Sequence, residues 1–155
     1  MTIYVLALLI GIVAGLRAMT APAAVSWAAH LGWLPLQGTP LAFLGFAYTP
    51  YILTVLAIGE LITDQLPSTP SRKVPMQFGA RIVAGGLSGA AIGASAGLLI
   101  GGLVAGVVGA IIGTLGGYEA RARLVKAIGG KDLPIALLED AVAIGGALWI
   151  VSSIP

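Results

Sequence analysis

The sequence contains no cysteine, a single histidine and little charge: eight basic and six acidic side chains among 155 residues, or 9%. Without cysteine there are no disulfides, no thiolate metal sites and no cysteine nucleophiles. One histidine leaves no histidine-spaced metal motif; four carboxylates could bind a hard divalent ion, but neither a metal nor a cofactor is expected. The shortage of charge is the most restrictive of these features. An ordinary soluble domain carries about 25% charged residues, and so few polar groups cannot cover the surface of a short chain. A soluble globular domain is therefore excluded, and so is a disordered chain, which would be polar and charge-rich. The net charge of +2 is too small to point to a nucleic-acid partner.

What is present is apolar: 58% of the residues are hydrophobic, and 23 are glycine. The charges fall into three groups: Arg17 alone; Glu60, Asp64, Arg72, Lys73 and Arg81; and Glu119, Arg121, Arg123, Lys126, Lys131, Asp132, Glu139 and Asp140. Residues 18–59 and 82–118 carry no formal charge. A helix crosses the bilayer core with roughly 20 residues, so each of these stretches folds back as a hairpin. Pro35 and Pro40, with Gly32 and Gly38, mark the first reversal, and Gly101-Gly102 is the expected place of the second.

The pattern predicts one domain over residues 1–155: an all-α integral membrane protein, a compact bundle of about six membrane segments with a glycine-packed central hairpin. The segments are expected at about 1–17, 22–34, 42–63, 79–99, 103–124 and 134–152, the first two short or broken. Segment 22–34 could instead re-enter. If all six cross, every charged group lies on one membrane face, and the excess of Lys and Arg makes that face cytoplasmic, with both termini outside. The expected location is a bacterial inner membrane, with the lipid bilayer as the principal partner.

Gly85, Gly89, Gly93, Gly97 and Gly101 recur every four residues, and Gly109, Gly113 and Gly117 repeat the spacing, as do Gly102 and Gly106. An i, i+4 row lies along one side of a helix and lets another backbone approach closely. The plain reading is packing within the chain, between the helices of the hairpin or against segment six. The sharper one is a homo-oligomer interface or a close-packed pore. Two serine motifs in the same run, Gly93-Ala94-Ser95-Ala96-Gly97 and Gly86-Leu87-Ser88-Gly89, lack the strand-to-helix setting or the histidine partner that serine catalysis needs. The chain is therefore not read as an enzyme. His30, between Trp27 and Trp33, is expected in an aromatic interfacial belt.

Ionisable groups beside lipid are the first place to look for function. Glu60 and Asp64 share a helix face. Glu139 and Asp140 enter the last segment about 100° apart, so one of the pair is expected to face a given partner. A carboxylate next to a long apolar run bears a desolvation penalty unless a cation is close. Glu60 and Glu139 are therefore candidate proton carriers or cation ligands. Arg17, just before Met19-Thr20-Ala21-Pro22, is the candidate to hold an anionic group or lock acids together. A substrate or ion site is expected between segments one, three and six, built from Arg17, Glu60, Asp64, Glu139 and Asp140. The expected partner is a small solute, proton or cation. The implied function is a small transporter or channel-like protein; the alternative is a glycine-zipper scaffold or lipid-binding module without transport.

Gly15-Leu16-Arg17-Ala18-Met19-Thr20-Ala21-Pro22, then Trp27 to Trp33, then Glu60-Leu61-Ile62-Thr63-Asp64-Gln65-Leu66-Pro67 resembles the bacterial membrane proteins grouped as domain-of-unknown-function family 4126. That family's acidic motif often reads Glu, three residues, Asp, Lys, an apolar residue, Pro; here Gln65 stands at the lysine position. The resemblance implies a multi-spanning membrane protein and no particular activity.

Overall fold

The computed structural model describes residues 3–17, 19–32, 34, 44, 48–63, 75–129 and 133–153; within the helices, the side chains of 60–63, 75–77 and 133–136 lie outside the description. The described chain is all-helical, with no strand: α1 (Ile3–Leu16), α2 (Thr20–His30), α3 (Thr49–Thr63), α4 (Pro75–Ala94), α5 (Leu99–Ala127) and α6 (Leu133–Ser152). Each expected segment contains or overlaps one helix. Pro35, Gly38 and Pro40, expected at the first reversal, lie outside the described residues.

The second reversal falls earlier than the sequence predicts. It occupies Ser95–Leu98, not Gly101-Gly102. Gly97 adopts φ +74°, a left-handed conformation that costs an L-residue with a Cβ about 1–2 kcal/mol. From there the Leu98 N–H reaches back to the Gly93 carbonyl (2.7 Å) and the Gly97 N–H to that of Ala94 (3.1 Å). This pair of bonds closes the C-terminus of α4 as a Schellman motif. Gly97 is thus a helix stop and not a member of the packing row: a Cβ there would meet nothing within 4 Å.

The remaining glycines of the row bring three backbones together. Gly85, Gly89 and Gly93 of α4 lie against Gly106 and Gly102 of α5; a Cβ on Gly85 would come within 2.6 Å of the Ala110 Cβ, and one on Gly102 within 2.8 Å of the Gly93 Cα. The second glycine face of α5 meets α1, not α6. Gly101 abuts the Tyr4 ring, Gly109 meets Leu8 and Gly11, and Gly113 meets Ile12. From the α1 side, Gly11 approaches Gly106, and a Cβ on Gly15 would lie 2.5 Å from the Thr114 nitrogen. The order of these contacts makes α1 parallel to α5 and α4 antiparallel to both. Small residues allow this spacing because nothing projects between the helix axes.

Around the α1–α4–α5 unit, α2 packs against α1, α3, α4 and α6, α6 packs against α1 and α2, and α3 packs chiefly on α2. Leu6, Ile10, Val13, Val25 and Ile92 fill the core, with Ile150 and Val151 of α6. Outside the charged end of α5, much of the described outer surface is apolar: Ile52 and Val55 of α3, Ile100 and Val104 of α5, and Leu148 and Trp149 of α6 are all more than half exposed. Among the described residues, one helix, Leu99–Ala127, is long and apolar enough to cross a bilayer; Ile3–Leu16, Thr49–Gly59 and Phe78–Ala94 are apolar but shorter.

Candidate functional site: a buried ion cluster at the end of α1

The last turn of any helix leaves carbonyls with no donor inside the helix. In α1 two of these, those of Gly15 and Leu16, are met by side chains. Arg81 Nη1, from the second turn of α4, donates to the Gly15 carbonyl at 3.0 Å. The Thr114 hydroxyl of α5 lies 3.5 Å from the same oxygen. Arg17 Nη1 donates to the Leu16 carbonyl at 3.0 Å. Two guanidinium groups thus sit at the negative end of the α1 dipole, where cations are favoured.

Arg17 also reaches α6. Its Nη1 lies 2.6 Å from Glu139 Oε1 and its Nε 2.6 Å from Asp140 Oδ1. Arg17 and Arg81 are 1% and 3% exposed, and the Glu139 and Asp140 side chains 8% and 13%. Buried charges at this depth cost several kcal/mol each in desolvation unless paired. The pairing here is close: the two arginines and two carboxylates carry no net formal charge, and the contacts have the short lengths of charge-assisted bonds.

Both acids meet the same partner, which differs from the expectation that one of two adjacent helical residues would. The guanidinium explains the difference. Its donors diverge in a planar fork, so Nε and Nη1 span the angular gap between successive side chains on α6. A lysine, with its point charge, has no comparable fork.

The structure therefore brings together three of the five expected site residues: Arg17, Glu139 and Asp140. Asp64 lies outside the described residues, and Glu60 is in α3 with its side chain outside the description. Among the described residues the cluster is built from the end of α1 and from α4, α5 and α6, while α3 packs chiefly on α2. Arg81 was counted with the boundary charges. The signal that sets it apart is its place inside the apolar α4 helix, directly before Ile82-Val83-Ala84. Thr114 had a weaker signal, as the only threonine in the charge-free stretch 82–118. Among the described residues no group of three or more His, Asp or Glu could hold a metal ion.

A cleft of about 150 Å³ between α5 and α6 leads to the cluster. Leu16, Gly117, Ala120 and Val142 line it, with Arg121 and Glu139 as its polar groups. His30, at the end of α2, stands edge-on to Trp27 with ring centres 6.0 Å apart. The Ser95 hydroxyl donates to the Ile92 carbonyl at 2.7 Å.

Comparison with family models, with curated proteins and with solved structures finds no match.

Proposed function

We propose that this chain is an integral membrane protein that moves a proton or small cation, with Glu139 and Asp140 as the exchanging groups and Arg17 as their internal counter-ion. The observation that carries the reading is the Arg17–Glu139–Asp140 cluster, buried inside a helical bundle much of whose exterior is apolar. Large aliphatic groups lie outside as well as in the core, unlike the surface of a soluble domain, and exposed apolar surface of this extent marks contact with lipid or protein. Ionisable groups retained inside such a bundle mark ion and proton pathways.

The dimensions support the reading. α5 has 29 residues, about 43 Å at 1.5 Å per residue, against about 30 Å of hydrocarbon. A slab entered near Leu99 ends near Tyr118, just before the charges of Glu119, Arg121, Arg123 and Lys126. Thr114, and with it the cluster, then sits about 22 Å along the helix, inside the slab and close to its charged boundary. That boundary is the cytoplasmic one if the positive-inside bias holds. A cation or proton arriving there would enter by the Arg121–Glu139 cleft and compete with Arg17 for the carboxylates. Membership of family 4126 belongs to the same reading and rests on the residues from Gly15 to Pro22 and from Glu60 to Pro67. A glycine-zipper oligomer draws less support, because Gly85, Gly89, Gly93, Gly101, Gly109 and Gly113 meet atoms of their own chain.

The test is flux in proteoliposomes carrying a pH-sensitive dye, under a potassium diffusion potential, with sodium, potassium and protons offered in turn. Glu139→Gln should lower flux at least ten-fold relative to the unaltered chain. Flux through both the Glu139→Gln and the Asp140→Asn protein equal to that of the unaltered chain, for every ion, would refute the proposal.

A further inference from the structure

A second cavity, of about 230 Å³, lies between α2, α3 and α6, and its lining shares no residue with the ion cluster. It is larger than the roughly 150 Å³ that accommodates a benzene ring in an apolar protein interior. One face of each helix forms a wall: Thr20, Ala23, Ala24 and Trp27 at i, i+3, i+4 and i+7 on α2; Thr54, Ala57 and Ile58 on α3; and Ile144, Ala147 and Leu148 on α6. The alanines make it a trough, because larger side chains at those positions would fill it. From Thr20 to Trp27 it runs about 10 Å along α2.

The two ends differ in polarity. At one end the Trp27 indole N–H donates to the Thr54 hydroxyl (2.7 Å), which donates to the Pro50 carbonyl (2.7 Å), so these groups satisfy one another. At the other end Thr20 is 7% exposed, and among the described residues its hydroxyl has no hydrogen-bond partner. Buried hydroxyls are seldom left so. Thr20 lies three residues after Arg17, at the end of the bundle where the charges gather. The rim residues Ile58, Ile144 and Leu148 are exposed and continue the apolar outer surface.

We propose that the trough binds one acyl chain of a glycerophospholipid, with the ester carbonyl accepting a hydrogen bond from the Thr20 hydroxyl and the chain running over Ala24, Ala57 and Ala147 towards Trp27. The polarity of the trough matches that of a lipid leaflet: the ester lies next to the charged boundary and the hydrocarbon lies deeper. The rim opens sideways, the direction from which a bilayer lipid arrives. The assignment rests on the membrane reading of the chain and is independent of ion movement.

The test uses tryptophan fluorescence and phosphatidylcholine brominated on its acyl chains. Two single-tryptophan proteins are compared in detergent: one keeps Trp27 (Trp33→Phe, Trp149→Phe), and the other keeps Trp149 (Trp27→Phe, Trp33→Phe), which is exposed on the outside of α6. Trp27 should be quenched with saturation near one lipid per protein, whereas Trp149 quenching should rise in proportion to the brominated fraction. Ala147→Leu, which fills the trough, should remove at least half of the Trp27 quenching and leave Trp149 unchanged. Thr20→Val, nearly isosteric, should raise the half-saturating lipid concentration about five-fold, the loss of one hydrogen bond. Trp27 quenching that follows the Trp149 curve, unaltered by Ala147→Leu and Thr20→Val, overturns the site and leaves water as the partner of Thr20. Absence of quenching at both tryptophans overturns the membrane reading itself.

Discussion

Replacing Arg17 by methionine keeps most of the side-chain length and removes the charge. Two carboxylates with 8% and 13% side-chain exposure then face each other without the guanidinium that bridges them, and the Leu16 carbonyl loses its donor. Removing one partner of a buried ion pair costs about 3–5 kcal/mol, because the other charge is left uncompensated. A lost hydrogen bond adds about 1 kcal/mol. Arg17→Met should therefore destabilise the protein by about 4–6 kcal/mol on these terms. The triple variant Arg17→Met, Glu139→Gln, Asp140→Asn removes every charge of the triad together and should recover most of that loss, since buried ionic groups exchanged for neutral ones of like volume are often nearly neutral in stability. Arg17→Lys should fall between the two, reaching one acid but not both. Equilibrium unfolding in mixed detergent micelles, followed by circular dichroism at several denaturant concentrations, gives the three values. A loss below about 1 kcal/mol for Arg17→Met, or a triple variant no more stable than the single one, would show that the cluster is not held by burial and pairing as argued.

Other outcomes follow from the same structure. Gly113→Ala places a Cβ against the Ile12 carbonyl and should cost about 1–3 kcal/mol as an overpacked contact. Gly116→Ala, three residues on, meets nothing within 4 Å and should stabilise α5 by up to about 1 kcal/mol through helix propensity; thermal unfolding of the two variants side by side checks the contrast. Gly97→Ala, at φ +74°, should lose about 1–2 kcal/mol from the left-handed strain of an L-residue, and a gain in melting temperature would contradict the role of Gly97 as the stop of α4. The chain has no cysteine, so single cysteines at Lys73 and Arg123 can be labelled in intact cells with a membrane-impermeant maleimide. Both should be protected from outside, and labelling of one alone would break the single-boundary topology.

Much of the architecture is legible in the spacing of charges and glycines. Charge-free stretches too long for one crossing imply hairpins, and helices occupy the places this implies. The glycine row is harder to read. Gly85, Gly89 and Gly93 pack between helices, yet Gly97, next in the same register, ends a helix, because periodicity does not report backbone φ. The partner of the second glycine face was also hidden. Gly11 and Gly15 of α1 carry the same i, i+4 spacing as the central row, but a pair of glycines in an apolar segment is a small signal. In the ion cluster, Arg17 and Glu139 stand out as charges beside apolar runs. Their pairing, more than 120 positions apart, depends on α1 and α6 meeting, which no local pattern encodes. Arg81 was masked by its neighbours in sequence, Arg72 and Lys73, although its own helix carries it into the interior.

The backbone-to-backbone seating of α1, α4 and α5 divides the molecule into a part that deforms with difficulty and a part that does so more easily. Where glycine lies on carbonyl there are no side-chain rotamers to exchange, so sliding one of these helices along another meets steric resistance at once. The buried faces of α2 and α6 add side chains with rotamers to exchange, among them Val25, Ile150 and Val151. Arg17 sits at the seam, anchored to the stiff unit through the end of α1 and to α6 through both acids. A shift of α6 relative to α1 strains two ionic contacts at once, because a single guanidinium carries both.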